Sequence, residues 1–61
     1  MDVEFVRNYI GSVCKIEVDN GYYFKGEILT VGGDSLVLID KNSKRIVLAL
    51  KVITQIREIE K

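Results

Sequence analysis

The stretch that decides the fold is residues 13–31, which read VCKIEVDNGYYFKGEILTV. From Cys14 to Val18 apolar and charged residues alternate, the period-two pattern of a half-buried strand, and this pattern predicts a buried Cys14 thiol. Asn20 and Gly21 come next, and Asn-Gly between two strands is the strongest short-range hairpin signal because the glycine accepts positive φ. Gly26 interrupts the second strand, as glycines do at the sharp bends of small barrels.

Outward from this hairpin, the chain divides into five short strands preceded by a helix. Residues 2–10 predict the helix, with Asp2 as its N-cap and Gly11 at its end. No later segment resembles a crossover helix, so neighbouring strands are expected to be antiparallel. The predicted fold class is all-β with a short N-terminal helix: a five-stranded, strongly bent antiparallel barrel over 13–59, within a single domain over 1–61. The predicted strands are 13–18, 22–31, 35–40, 45–50 and 52–59.

Two of the predicted strands are apolar on both faces. Residues 36–39 read LVLI and residues 46–50 read IVLAL, whereas the outer face of a lone small barrel should be polar. Each large apolar side chain left in water forgoes about 1.5–3 kcal/mol of burial. We expect a neighbouring subunit to cover part of this outer face. The alternative is that the N-terminal helix covers all of it.

The composition points to the same conclusion. A domain of 61 residues has a marginal core and usually gains stability from disulfides, a metal or oligomerisation. The single Cys14 allows no internal disulfide, and without histidine it cannot build a structural zinc site. Oligomerisation remains, and a lone thiol favours the reducing cytoplasm.

Charge and hydropathy limit the partners. Nine basic and nine acidic residues give a formal charge of zero, so attraction to nucleic acid must be local where it exists. No run of about 18 apolar residues predicts a membrane span. Without histidine or a nucleophile motif, the chain is expected to have no catalytic residues, no cofactor and no enzymatic activity.

Residues 9–59 resemble the Sm-like family, which includes the Sm and LSm proteins and the bacterial Hfq branch. The order of one helix and five strands, the last two joined by a minimal turn, is similar to the family's. Residues 20–26, NGYYFKG, resemble its Asn-Gly, four residues, Gly pattern. Residues 36–40 and 46–56 are similar to its third, fourth and fifth strands. The resemblance implies an Sm-like or SH3-like barrel, a homo-oligomeric ring of six or seven subunits joined through strands 4 and 5, and single-stranded RNA as ligand.

The family's two RNA-binding motifs are only partly matched. The turn before strand three, residues 32–35, has no aromatic ring or histidine, and Ser35 stands near the position of the family's asparagine. Lys51 stands where Sm proteins carry Arg-Gly and where the Hfq branch has a Lys-His pair. Glu17 lies near the aromatic residue with which Hfq binds adenine. A missing stacking platform costs about 1–3 kcal/mol per base, so weak sequence preference is expected.

The candidate RNA-binding residues lie in turns and at the hairpin. Lys51 is the first candidate, because one lysine per subunit near a ring pore would form a basic collar; its alternative is an ordinary solvated lysine. Aromatic residues beside a lysine can stack bases, but strand aromatics more often serve cross-strand packing, with one tyrosine of the pair facing inward. The candidates are Lys51, Ser35, Asp34, Tyr22, Tyr23 and Lys25, with a secondary basic cluster at Lys41, Lys44 and Arg45.

Three functions follow as hypotheses. The first is a ring that contacts single-stranded RNA with weak sequence preference. The second is an Sm-fold protein-interaction or assembly module that has lost RNA binding. The third, a monomeric SH3-like accessory domain, is opposed by the apolar outer strands.

Overall fold

The chain forms a short helix followed by a five-stranded antiparallel sheet. A computed structural model describes residues 1–60, so Lys61, the last residue of the predicted domain, lies outside the described residues. The strand order is β4-β3-β2-β1-β5. The mostly-β class, the antiparallel pairing and the N-terminal helix are therefore confirmed. The elements are α1 (Val3–Arg7), β1 (Val13–Val18), β2 (Tyr23–Val31), β3 (Ser35–Ile39), β4 (Arg45–Ala49), the corner turn (Leu50–Val52, one turn of 3₁₀ helix) and β5 (Ile53–Glu60).

Helix α1 is shorter than predicted. Asp2 is its N-cap, as expected, and accepts a hydrogen bond from the Glu4 N–H at 3.3 Å. The predicted last turn is instead drawn into the sheet, where Ile10 bridges Ile28 and the Gly11 N–H donates to the Ile28 carbonyl at 2.8 Å. A helix of so few residues is marginal by itself, so pairing with β2 prevails over its continuation.

The first hairpin has a three-residue loop. The Val18 N–H donates to the Tyr22 carbonyl at 3.0 Å, and Gly21 closes the loop with φ of +90°. The side chain of Asn20 accepts from the Tyr22 N–H at 3.0 Å. This loop sets Lys15 opposite Lys25, whereas a two-residue turn on the same Asn-Gly would shift the pairing by one residue and exchange the faces of β2.

The inward face of the sheet supplies almost the whole core. On β1 every second residue is buried, as the alternation predicts, and Cys14 and Ile16 are fully inaccessible. Helix α1 contributes Val6 from above. The buried apolar residues are Val6, Cys14, Ile16, Val18, Ile28, Val31, Leu36, Leu38, Leu48, Leu50, Ile53 and Ile56.

The predicted barrel does not close. Within residues 1–60, β4 pairs only with β3 and β5 only with β1, so the sheet keeps two outer edges. In a flat sheet the two outermost strands, β4 and β5, would stand about 19 Å apart. The four chain steps from Ala49 to Ile53 span at most about 14 Å, so the sheet must bend toward the corner turn. The 3₁₀ turn redirects the chain at this corner instead of folding β5 back along β4, as a two-residue hairpin would.

The apolar outer face of β3 and β4 is left partly uncovered. Val47 is 65 % exposed, and its cross-strand partner Val37 is half-buried. Helix α1 packs against β2, so the alternative in which the helix covers this whole face is wrong.

Gly26 has a steric role that gives a first prediction. A Cβ at this position would overlap the Ile39 carbonyl oxygen and lie 2.7 Å from Leu38 Cδ1, because β3 crosses β2 closely there. We expect Gly26→Ala to lower the free energy of unfolding by about 1–3 kcal/mol through overpacking. Gly33→Ala is the matched control, since a Cβ there meets nothing within 4 Å. Urea denaturation of both variants tests this, and equal stabilities would contradict the steric role.

Candidate functional site

Lys51 is exposed at the middle of the corner turn, where three other parts of the chain converge. The Leu50 N–H donates to the Asp34 carbonyl at 2.9 Å, and the Asp19 N–H donates to the Val52 carbonyl at 2.9 Å. The amino group of Met1 donates to the Leu50 carbonyl at 3.1 Å. The backbone that carries Lys51 is therefore fixed on both sides.

Two of the candidates from sequence meet at this corner. Asp34 and Lys51 line a shallow cavity of about 460 Å³ beside Leu50. Ser35 begins β3 next to them, is half-buried, and accepts a hydrogen bond from the Gly32 N–H on its carbonyl at 2.7 Å, a turn-stabilising contact. The Lys51 ammonium and the amino group of Met1 both attract phosphate to this cavity, and the Asp34 carboxylate opposes them.

The tyrosine pair is arranged differently from the prediction. Tyr22 is 70 % exposed and Tyr23 is 56 % exposed, so the expectation that one of them faces the core is wrong. Tyr22 directly follows the hairpin loop and precedes β2, and Phe24, within β2, packs against the core instead. The Nζ atom of Lys15 lies 4.5 Å from the centroid of the Tyr23 ring, a cation–π contact.

Lys25 and the hairpin formed by β3 and β4 share another surface. Lys25 and Lys41 line an open cleft of about 440 Å³. Asp40 organises the hairpin, since its side chain accepts from the backbone N–H of Asn42 and of Lys44, both at 2.9 Å. The side chains of the predicted basic cluster are all exposed, and its members are Lys41, Lys44 and Arg45.

The register brings together a basic group that sequence reasoning missed. Lys15 stands between Lys25 on one side and Arg57 on the other, so three cations lie in one row across β2, β1 and β5. The hairpin loop length would have revealed the first pairing. Nothing local in the sequence reveals the second, because β1 and β5 are separated by more than thirty residues.

The described residues form neither a metal-holding cluster nor a membrane-spanning helix. No group of three Cys, Asp or Glu side chains in this part of the chain is arranged to hold a metal ion. No helix among residues 1–60 has the length and apolar character needed to cross a membrane.

Comparison with known proteins finds no matching family model and no matching curated protein.

Cys14 is a core residue, which gives a second prediction. Burial raises the pKa of the Cys14 thiol, and the carboxylate of Glu58 raises that pKa further. Its Sγ–H donates to the Ser12 carbonyl at 3.7 Å. We expect a thiol reagent at pH 8 to label the folded chain at least about a hundredfold more slowly than the denatured chain. The reaction requires both local unfolding around Cys14 and deprotonation of its thiol.

The same shift fixes a pH dependence. The pKa of the Cys14 thiol is higher in the folded chain than in the unfolded chain. The protonated thiol therefore contributes fully to the free energy of unfolding below the unfolded pKa of about 8.5, and this contribution declines as the pH rises above that value. Cys14→Val should show a smaller decline in urea titrations over this range. Equally fast labelling of folded and denatured chains would contradict the buried, raised-pKa thiol.

Proposed function

We propose that this chain is the subunit of a cytoplasmic, Sm-like homo-oligomeric ring that contacts single-stranded RNA with weak sequence preference and has no catalytic activity of its own. The observation that carries the proposal is the pair of outer edges, β4 and β5, on a bent sheet. A ring needs two different, complementary surfaces on each subunit. The free edges of β4 and β5 meet that requirement, because β4 of one subunit can pair with β5 of the next.

The apolar outer face supports assembly by these edges. Val47 projects from β4 with 65 % of its surface exposed, and Ile59 on β5 is 44 % exposed. Exposed edge strands with apolar side chains are rare in monomers, because they pair with other chains. Edge-to-edge assembly would cover both residues and pair the outer backbone groups of β4 and β5.

Assembly of this kind would place the corner turn next to the subunit junction. Lys51 lies between the two edges in the chain, so each junction would carry one Lys51 and one Asp34. One lysine repeated in every subunit supports contacts to phosphate. The absence of an aromatic side chain from residues 32–35 supports weak base preference. Six or seven subunits remain the proposed ring sizes.

A protein-interaction or assembly module is the second candidate. The formal charge of zero favours it, because a ring of neutral subunits has no overall attraction for a polyanion. The Asp34 carboxylate beside Lys51 favours it too. In this function the ring persists and RNA binding is absent.

The assembly is tested by solution mass. We expect light scattering to give several subunits for the unmodified chain and a smaller mass for Val47→Lys, because a charge on an edge strand opposes pairing. Thr30→Lys is the control, since Thr30 is exposed on the inner strand β2. A monomer at every concentration, or equal masses for both variants, would contradict edge assembly.

RNA binding is tested by fluorescence anisotropy with short uridine-rich and adenine-rich RNA at low salt. Lys51→Ala should weaken binding. It should also make the negative slope of log K against log salt shallower by about 0.7 for each Lys51 that contacts a phosphate. Arg7→Gln is the control, because Arg7 lies on α1 and pairs with Glu4 at 3.5 Å. No binding to either RNA, with the assembly intact, would favour the protein-interaction module.

A further inference from the structure

The outward face of β2, β1 and β5 carries charges in rows that run across the strands. The basic row is Lys25, Lys15 and Arg57, which are direct neighbours by register. One step along the strands lies the mixed row, which consists of Tyr23, Glu17 and Gln55. We call these two rows together the striped face.

The basic row is unfavourable in the isolated chain. Like charges directly opposite each other on neighbouring strands repel, and this row holds two such pairs in succession. Among residues 1–59, whose side chains are described, the only ion pair joins Arg7 to Glu4, and neither residue belongs to the striped face. The cation–π contact of Lys15 with Tyr23 holds the central ammonium toward the mixed row. A partner that places a carboxylate over Lys15, the central cation of the row, would relieve part of the repulsion.

The rows are poorly suited to a polyanion. The basic row is bordered by Glu17 on one side, and by Glu27, opposite Val13, on the other. An RNA backbone laid along the row would therefore meet a carboxylate on each flank. The partner that matches a basic row next to an acidic position is a second copy of the same face, rotated so that its acidic position lies over the basic row.

We propose that the striped face is a self-complementary contact between two copies of this chain, related by a two-fold axis parallel to the rows and midway between them. Such an axis sets the basic row of each copy against the mixed row of the other. Lys15 then faces Glu17 of the second copy, and Glu17 faces its Lys15. At the two ends, Lys25 faces the Tyr23 ring and Arg57 faces the Gln55 amide.

Exposure and composition agree with this contact. Tyr23 is 56 % exposed, and Lys25, Gln55 and Arg57 are all exposed in the single chain. Tyrosine and arginine are among the residue types enriched at protein interfaces, whereas lysine and glutamate are depleted there. A standard interface takes about 800 Å² from each partner, about a fifth of the 4114 Å² surface of this chain. Three strands present less than that, so the contact is a weak one. It uses a face, not the strand edges, and does not depend on the proposed ring.

A charge-swap mixing experiment tests the contact. Lys15→Glu makes the centre of the face doubly acidic, and Glu17→Lys makes it doubly basic, so each variant alone should repel its own copies. Their mixture should associate, since both central facing pairs, position 15 of each copy against position 17 of the other, are then opposite in sign. Sedimentation from about 10 µM to about 1 mM covers the range expected for a small interface. The double variant, with both swaps in one chain, should regain self-association.

The matched controls are Arg7→Glu and Glu4→Lys, which make the same charge changes at the exposed ion pair of α1. Their mixture should associate at least tenfold more weakly than the Lys15→Glu and Glu17→Lys mixture. All measurements are repeated with Val47→Lys, which separates face contacts from edge assembly. A face mixture that stays unassociated, or that associates no better than the control mixture, overturns the inference whether or not the ring exists. If Lys15→Glu instead abolishes RNA binding while the mixture stays unassociated, the face is an RNA surface and the inference is wrong.

Discussion

The rest of the structure depends on one constraint: three residues at the corner turn join the two outermost strands of a five-stranded sheet. Because so short a connection cannot cross a flat sheet, the sheet bends, and its concave side becomes the core. Leu50 and Ile53 anchor the corner by burial, while hydrogen bonds from Leu50 to Asp34 and from Asp19 to Val52 hold its flanks. Lys51 is exposed because its two neighbours in the chain point into or along the core.

The same constraint explains why the sheet bends without closing. The inward residues satisfy their burial by packing across the bend, so closure would add only backbone pairing between β4 and β5. In the proposed assembly, a second chain would supply that pairing. Val47 remains exposed on this side, so pairing with a second chain would bury apolar surface there.

Local patterns allowed most of the elements to be predicted. The alternation from Cys14 to Val18 predicts which side of β1 is buried, and Asp2 predicts where α1 begins. Features set by distant residues were not accessible: Ile28 shortens the helix by pairing with Ile10, and the pairing of β1 with β5 places Arg57 beside Lys15. Of the candidate site, sequence alone could select exposed turn residues, but the neighbours of each depend on register.

Register also decides which surface the charges form. With a three-residue loop at the first hairpin, Lys15 opposes Lys25 and Glu17 opposes Tyr23. A shift of one residue would put Lys25 on the core side of β2. Burial of the apolar positions therefore fixes the arrangement of charges on the opposite face, although those charges add nothing to the core. Because the formal charge is zero, two copies would approach without overall repulsion, and in the proposed contacts the short-range matching of rows and edges would determine how they associate.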